Sequence, residues 1–259
     1  MKILILCAGD RSGLQIALSC LKYIHKTKLD EMTVCVLDKD KKIIKFLKDN
    51  KINHKISNFN KFFDNIKINE FNWLLNIWGY KILKKDFIKK FKNNVNLHPS
   101  YLPYNRGRDP YYFSIINNTP IGVCIHQMDQ AIDAGQYYIR KKYNFVFPVT
   151  AGEIFNKCLK EIMHLFIKNW IKIRNKKIEL KNYRENIKLT NYRKELELKN
   201  YQNLDDPKNY KNKSFVLNCL AQDFSFLKQQ VKIYGKIYNV KLKLENAKKK
   251  KIKINNEKH

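Results

Sequence analysis

Residues Lys2–His25 read KILILCAGDRSGLQIALSCLKYIH, and this stretch decides the fold. Lys2–Cys7 is a short unbroken apolar run, the pattern of a strand buried on both faces of a parallel sheet. Ala8–Gly13 is a turn of small residues, after which Leu14, Leu18, Leu21 and Ile24 recur at helical spacing. Such a strand–turn–helix unit suits a phosphate. Unpaired N–H groups at the helix start, the dipole there and Arg11 would all attract an anion. The spacing matches neither GxGxxG nor a P-loop, so an ordinary strand-to-helix turn stays equally open.

The same alternation continues outward. Met32–Leu37 (MTVCVL) reads as a second strand and Lys41–Asn50 as a lysine-rich amphipathic helix. Trp73–Trp78 (WLLNIW) is a further apolar run, followed by Gly79 and Tyr80. Phe87–Phe91 reads as a short helix, and Val95–Leu97 as the strand that delivers His98. This order predicts an α/β fold: a doubly wound, mostly parallel, Rossmann-like sheet. Ligands of such sheets bind beyond the carboxyl ends of the strands. The Gly9–Gly13 turn, Gly79-Tyr80 and His98 all fall there.

Pro110–Asn117 reads as a helical turn or two. Ile121–Gln127 and Gln136–Tyr143 read as strands flanking a loop that carries Asp133. Thr150 and Glu153 form a capping box, and the helix it opens runs to about Arg174. Ile154, Cys158, Ile162, Leu165, Phe166 and Ile173 make its packed stripe, with His164 expected on or beside it. Beyond Arg174 the chain turns polar, and Asn-Tyr recurs every nine residues from Asn182, a spacing that keeps one face in neither helix nor strand. Ser214–Leu227 and Val231–Leu244 are apolar again, and Lys232–Tyr234 and Ile237–Leu242 flank Gly235 as a hairpin. The expected organisation is therefore a main domain over residues 1–175, a small C-terminal α+β region containing the hairpin over 176–246, and a basic tail, read as disordered, over 247–259.

The 259 residues are 44% hydrophobic, enough for a sizeable core. No apolar run approaches the ~20 residues of a membrane span, and the first strand lacks the flanks of a signal peptide. Six cysteines lie far apart, mostly in apolar runs, with no CxxC and no zinc spacing. They read as buried thiols of a reducing cytoplasm, and no metal is expected. The net charge of +29 favours an anionic partner: a nucleotide-sugar, a folate polyglutamate or RNA. Lysine is spread over helix faces and tail alike, and no RNA-binding motif with interleaved aromatics accompanies it, so nucleic acid is not the expected partner.

Chemistry gathers between Asn96 and Asp133, in NLHPSYLPYNRGRDPYYFSIINNTPIGVCIHQMDQAID. An Asn N–H can face a developing oxyanion, His98 can donate a hydrogen bond or a proton, and a nearby Asp133 would raise the His98 pKa. No Ser or Cys nucleophile stands in a recognisable motif. Direct acyl transfer to an amine remains, with Asp133 helping to remove the ammonium proton. A buried His holding a loop beside a turn Asp explains the same residues without chemistry.

NLHPSYLPYNRGRDP followed by GVCIHQMDQAIDAGQ closely resembles the folate-dependent formyltransferase family over about residues 1–175. The resemblance implies a Rossmann-like formyltransferase core and catalytic roles for Asn96, His98 and Asp133, with Gly135 completing the last motif. It implies 10-formyltetrahydrofolate as formyl donor. The pterin is then expected along Trp78, Gly79, Tyr80, Ile82 and Leu83 and along Gln130, Ala131 and Ile132, held largely by backbone groups. Ser100 and Arg106 belong to the motif. Among acceptors, the wording of HPSYLPYNRGRDPYYFSI and of Asn191–Leu198 is most similar to enzymes that formylate dTDP- or UDP-linked amino-sugars for surface glycans, dTDP-4-amino-4,6-dideoxyglucose being one such acceptor. Methionyl-tRNA and glycinamide ribonucleotide are the alternative acceptors. For a nucleotide-sugar, Arg11, Ser12 and Gly13 are the expected pyrophosphate contacts, with Gly9, Asp10, Arg106 and Arg108 also on the substrate side. The apolar C-terminal cluster either folds back or forms a homodimer contact.

Overall fold

A computed structural model describes residues 1–10, 13–56, 59–146, 148–185, 190–191, 201–203, 212–223, 229–233 and 236–244. The tail expected over 247–259 and the turn residues Tyr234 and Gly235 lie outside them.

The first half is a run of βα units. It comprises β1 (Lys2–Cys7), α1 (Gly13–Thr27), β2 (Glu31–Val36), α2 (Lys41–Asp49), β3 (Asn53–Ile56), α3 (Phe59–Asn65), β4 (Trp73–Ile77), α4 (Lys85–Ile88) and β5 (Asn93–His98). A two-residue strand β6 (Arg106–Gly107), α5 (Pro110–Ile116), β7 (Ile121–His126), β8 (Tyr137–Tyr143) and the long α6 (Ala151–Arg174) follow. Short β9 (Thr190–Asn191) and β10 (Tyr201–Asn203) precede α7 (Asn212–Gln222), β11 (Gln229–Ile233) and β12 (Lys236–Val240).

Seven strands form one sheet in the order β3-β2-β1-β4-β5-β7-β8. The five from β3 to β5 are parallel, and β7 and β8 are antiparallel to their neighbours. The expected doubly wound, mostly parallel sheet is present. Period-two alternation divides its core. Ile3, Ile5 and Cys7 face α1, α2 and α6, while Leu4 and Leu6 face the layer with Phe63, Phe87 and Phe91. Trp73 of β4 meets Trp170 of α6 edge to face at 5.3 Å, locking the long helix onto the sheet. The predicted capping box opens that helix: Glu153 N–H donates to Thr150 Oγ1 at 3.2 Å and Thr150 N–H to Glu153 Oε2 at 2.7 Å. Its far end is pinned by Arg174, whose Nε donates to both oxygens of the fully buried Asp30 carboxylate.

Several local expectations change. Strand β3 and helix α3 are not predicted by the pattern, because NHKI has no apolar run and takes its order from pairing with β2. The short helix expected at Phe87–Phe91 spans Lys85–Ile88 instead. His164 is exposed rather than beside the packed stripe of α6. In the C-terminal region, β11 and β12 form the expected antiparallel hairpin, and β10 adds a parallel third strand to it. Helix α7 docks on the main sheet's helices: Tyr112 Oη donates to Asn218 Oδ1, and Gly152 N–H donates to Asp223 O. All six cysteines are buried free thiols. No helix among the described residues is long and apolar enough to cross a membrane.

Candidate active site

Direction reverses between β5 and β7, and polar side chains collect at that seam. Strand register sets Asn76 of β4 opposite Asn96 of β5, and Asn96 opposite His126 of β7. His98, two residues on, ends β5 on the same face as Asn96. The loop after β7 then returns Asp133 to this row. Its tip is held by Gly135, where a Cβ would lie 2.1 Å from the Gln127 carbonyl oxygen. Asp133 itself takes a left-handed backbone (φ 48°), a conformation that Asp tolerates better than most L residues.

The Asp133 carboxylate is the hub. Oδ2 accepts from Gly107 N–H at 2.9 Å and Oδ1 from Asn96 Nδ2 at 3.2 Å. His98 Nδ1 and His126 Nε2 each lie 3.5 Å from it. Asn96 Nδ2 also donates to His126 Nε2 at 2.9 Å, while His126 Nδ1 meets the Gln127 carbonyl at 2.8 Å. His98 Nε2 faces the carbonyl of Asn105 at 3.3 Å. Asn105 is buried and tied by Nδ2 to Ser114 and Thr119, so the turn that orients His98 is itself fixed. Ser100, the motif serine, braces the same turn by donating to Tyr104 O.

Burial alone would push the Asp133 carboxyl up. The facing imidazoles and the Gly107 N–H outweigh it and hold the carboxyl well below the usual range. His98 corrects an expectation: its pKa is lowered, not raised. Desolvation at 5% exposure is the largest cause and, with His126 nearby, exceeds the pull of Asp133.

This constellation stands in the wall of a cleft of ≈ 390 Å³, within the size range of small-molecule sites. Trp78, Gly79, Tyr80, Ile82 and Leu83 form one side of it and Gln130, Ala131 and Ile132 another, so the predicted donor-side residues are brought together. Lys85 Nζ donates to Gln130 Oε1 at 2.6 Å. Tyr80 has an exposed ring whose hydroxyl is anchored on Leu37 O at 2.6 Å. Trp78 takes a left-handed backbone (φ 62°) and lies on Gly13, where a Cβ would come 1.9 Å from the indole.

The acceptor-side expectations divide. Asp10 and Arg108 line the cleft; Gly9, Gly13 and Arg106 do not. Gly9 N–H is already donated to Asp38 Oδ2 at 2.7 Å and Gly13 N–H to Asp10 O at 2.7 Å. The Asp40 carboxylate also packs against Gly9. The described part of the turn is thus satisfied internally and edged with negative charge, which opposes the phosphate cradle expected of it. Arg11 and Ser12 lie outside the described residues. Arg106 sits in β6, paired with β9, with Nε buried and unpartnered among the described residues. Asn76, His126 and Gly107 carry no signal of their own in the sequence. Asn76 interrupts an apolar strand and His126 ends one, and only the strand register shows what each meets.

A family model described as formyl transferase matches residues 1–169. The chain belongs to this family. A methionyl-tRNA formyltransferase from Orientia tsutsugamushi (strain Boryong) is 35% identical over 89 residues, 34% of this chain and 29% of that protein. The chain spans about a third of the length of the curated relatives it matches. Its fold is similar over nearly its full length to a 4-N formyltransferase from Francisella tularensis. The TM-score is 0.78 at 21% identity, covering 95% of this chain and 98% of that one. An N-formyltransferase from Helicobacter canadensis, solved with folinic acid and dTDP-3-aminofucose, has a TM-score of 0.69 at 19% identity, covering 90% and 84%.

Proposed function

We propose that this formyl transferase family member is an N-formyltransferase. It moves a formyl group from 10-formyltetrahydrofolate to the amine of a dTDP- or UDP-linked amino-sugar. The observation that carries the reading is the meeting of Asn96, His98 and Asp133 in the wall of one folate-sized cleft. The ligands of the Helicobacter canadensis neighbour agree with it.

In this reading the pterin lies against Ile82, Leu83 and the Gln130–Ile132 backbone. The amine lone pair attacks the formyl carbon, and the carbonyl π pair moves onto oxygen. Asn96 has two N–H groups, one held by His126 and one by Asp133. The second turns from Asp133 to the oxyanion as the carboxylate takes the ammonium proton. His98 adds a donor from Nδ1 when protonated, since its Nε2 side is committed to Asn105 O. Collapse breaks the bond from carbon to N10, and N10 takes the proton that Asp133 picked up, leaving tetrahydrofolate, a formamide and the carboxylate restored. Arg108 is a cleft-lining cation suited to the acceptor's phosphates. Residues 1–175 form the catalytic unit and 176–246 a small appended region. The free thiols suit a reducing cytoplasm.

A charged initiator tRNA is the second acceptor worth testing, because the 35% identical relative is a methionyl-tRNA formyltransferase. The deciding experiment supplies 10-formyltetrahydrofolate with a panel of acceptors and follows tetrahydrofolate release. The panel holds dTDP- and UDP-amino-sugars, including dTDP-4-amino-4,6-dideoxyglucose, glycinamide ribonucleotide and methionyl-tRNA. Turnover with an amino-sugar nucleotide is expected. Turnover only with the tRNA or the ribonucleotide would move the chain to that acceptor, and no turnover with any would overturn the reading.

A further inference from the structure

Asn76 is the single polar residue of β4, whose sequence is WLLNI and whose residues are all buried. Its side chain donates from Nδ2 to Asn96 Oδ1 at 2.8 Å and to Gly79 O at 3.2 Å. Its own Oδ1 is buried with no hydrogen-bond partner among the described residues. That atom is pressed against the backbone, since a Cβ on Gly79 would lie 2.1 Å away. In a strand flanked by Leu74, Leu75 and Ile77, an apolar residue would avoid an orphaned acceptor altogether.

The polarity of the whole row follows from groups that can only accept. The Gln127 carbonyl fixes a proton on His126 Nδ1, which leaves Nε2 able to accept. Nε2 and the Asp133 carboxylate then both call for the NH₂ end of Asn96. An amide can turn over about its last bond, and during the reaction the Asp133 contact is the one given up. The amide is then held at its NH₂ end by His126 and at its oxygen by the donor from Asn76, which keeps Oδ1 away from the reacting carbon. Asn76 cannot turn over in its turn, because its oxygen would face two acceptors, Asn96 Oδ1 and Gly79 O.

We propose that Asn76 is a positioning residue: it fixes the orientation of the Asn96 amide, so that the Asn96 N–H groups face Asp133 and the formyl carbon. The inference rests on the formyl-transfer reading for what Asn96 does, and on the hydrogen-bond geometry for how Asn96 is held. The unsatisfied Oδ1 is the structural penalty of that orientation.

The test compares wild type, Asn76→Leu, Asn96→Ala and the double variant in formyl transfer. Leucine suits the apolar strand and removes the orphaned acceptor, but it also takes the donor from Asn96 Oδ1 and Gly79 O, so Asn76→Leu should stay folded and melt slightly below the wild-type temperature. Its kcat should nevertheless fall about ten- to hundredfold with KM for the folate little changed, since a donor is misaligned while the groups that bind the folate stay in place. Asn76→Asp, which cannot donate to Asn96, should fall further. The double variant should be no slower than Asn96→Ala, because the effect passes through that residue.

A second readout needs no turnover. The imidazole of His98 is faced by Asp133, His126 and the Asn105 carbonyl. With Asn96 free to turn, Asp133 loses a donor and favours the imidazolium, so the His98 titration followed by NMR should move upward in Asn76→Leu. Wild-type kcat in Asn76→Leu, losses that multiply in the double variant, or an unmoved His98 titration would each overturn the inference. If the wild type transfers formyl to no acceptor, the functional reading fails and the His98 titration alone decides how Asn96 is held.

Discussion

The parallel and antiparallel halves of the sheet are built from opposite materials. From β3 to β4 the buried strand residues are almost all apolar, and the thiols among them are inert, burial pushing Cys35 up to about 12. From β5 to β8 the same sheet buries Asn94, His98 and His126, holds Asn96 half-buried and carries Arg140. One half supplies cohesion; the other uses that rigidity to hold groups that would otherwise be solvated. Buried polar groups keep a defined geometry only when their frame cannot relax around them.

The largest expected break of this contrast is Asp133→Asn. It keeps shape and size but removes the proposed proton acceptor, and turnover should fall ~10³-fold, in the general-base range, with a lowered melting temperature because the carboxylate that its partners hold ionised is lost. Tetrahydrofolate release and calorimetry on the same sample check both halves of that statement. Next comes the reverse case on the parallel side. Leu75→Ala empties a fully buried site and should cost about 2–5 kcal/mol in urea unfolding. The kcat of the molecules that remain folded should stay near wild type. A collapse of kcat in that variant would erase the distinction between the two halves.

How much can be seen in the sequence follows the same line. In the parallel half β1, β2 and β4 are legible because they are apolar runs punctuated by turns, a signal carried by each segment alone; β3 is not, because it takes its order from pairing with β2. Asn96, His98 and Asp133 can be singled out through the two motifs that carry the family resemblance, which lie far apart in the chain. Asn76 and His126 cannot be, because one is a lone polar residue inside an apolar strand and the other the polar end of another, and their meaning lies in the neighbour that register assigns to each. The Gly9–Gly13 turn misleads the other way. Its free N–H groups look available for a phosphate until folding brings up Asp38, 29 residues later, to take one of them. His98 misleads for a related reason: a partner can be guessed from sequence, but the depth of burial that outweighs it cannot.

Smaller effects should sharpen the contrast at its outer edge. Arg140 on β8 lies over the rings of Tyr101, Tyr137 and Tyr183 at 4.5, 4.8 and 5.6 Å and donates to Leu102 O and Glu185. It therefore clamps the turn after His98 to residues 183–185. Arg140→Lys keeps the charge but loses the planar fork and should cost about 1–2 kcal/mol, read from the urea midpoint. The smallest effect is expected at Glu161 on α6. Lys157, with Tyr143 behind it, holds that carboxyl down to about 2. Its contribution is therefore complete above the ordinary glutamate pKa and is lost as pH falls toward 2. Glu161→Gln should cost about 0.5–1 kcal/mol at pH 7 for a partly exposed pair, and the gap to wild type should close steadily below pH 4.5.

The left-handed backbone at Asp133 biases how such a site would decay. Glycine and asparagine are the side chains most at ease in that conformation, and each is reachable from an aspartate codon by a single-base change. Both disarm the carboxylate while relieving the chain. A duplicated copy released from selection for turnover would thus drift toward Gly or Asn at this position first, keeping its fold and losing its chemistry in one step.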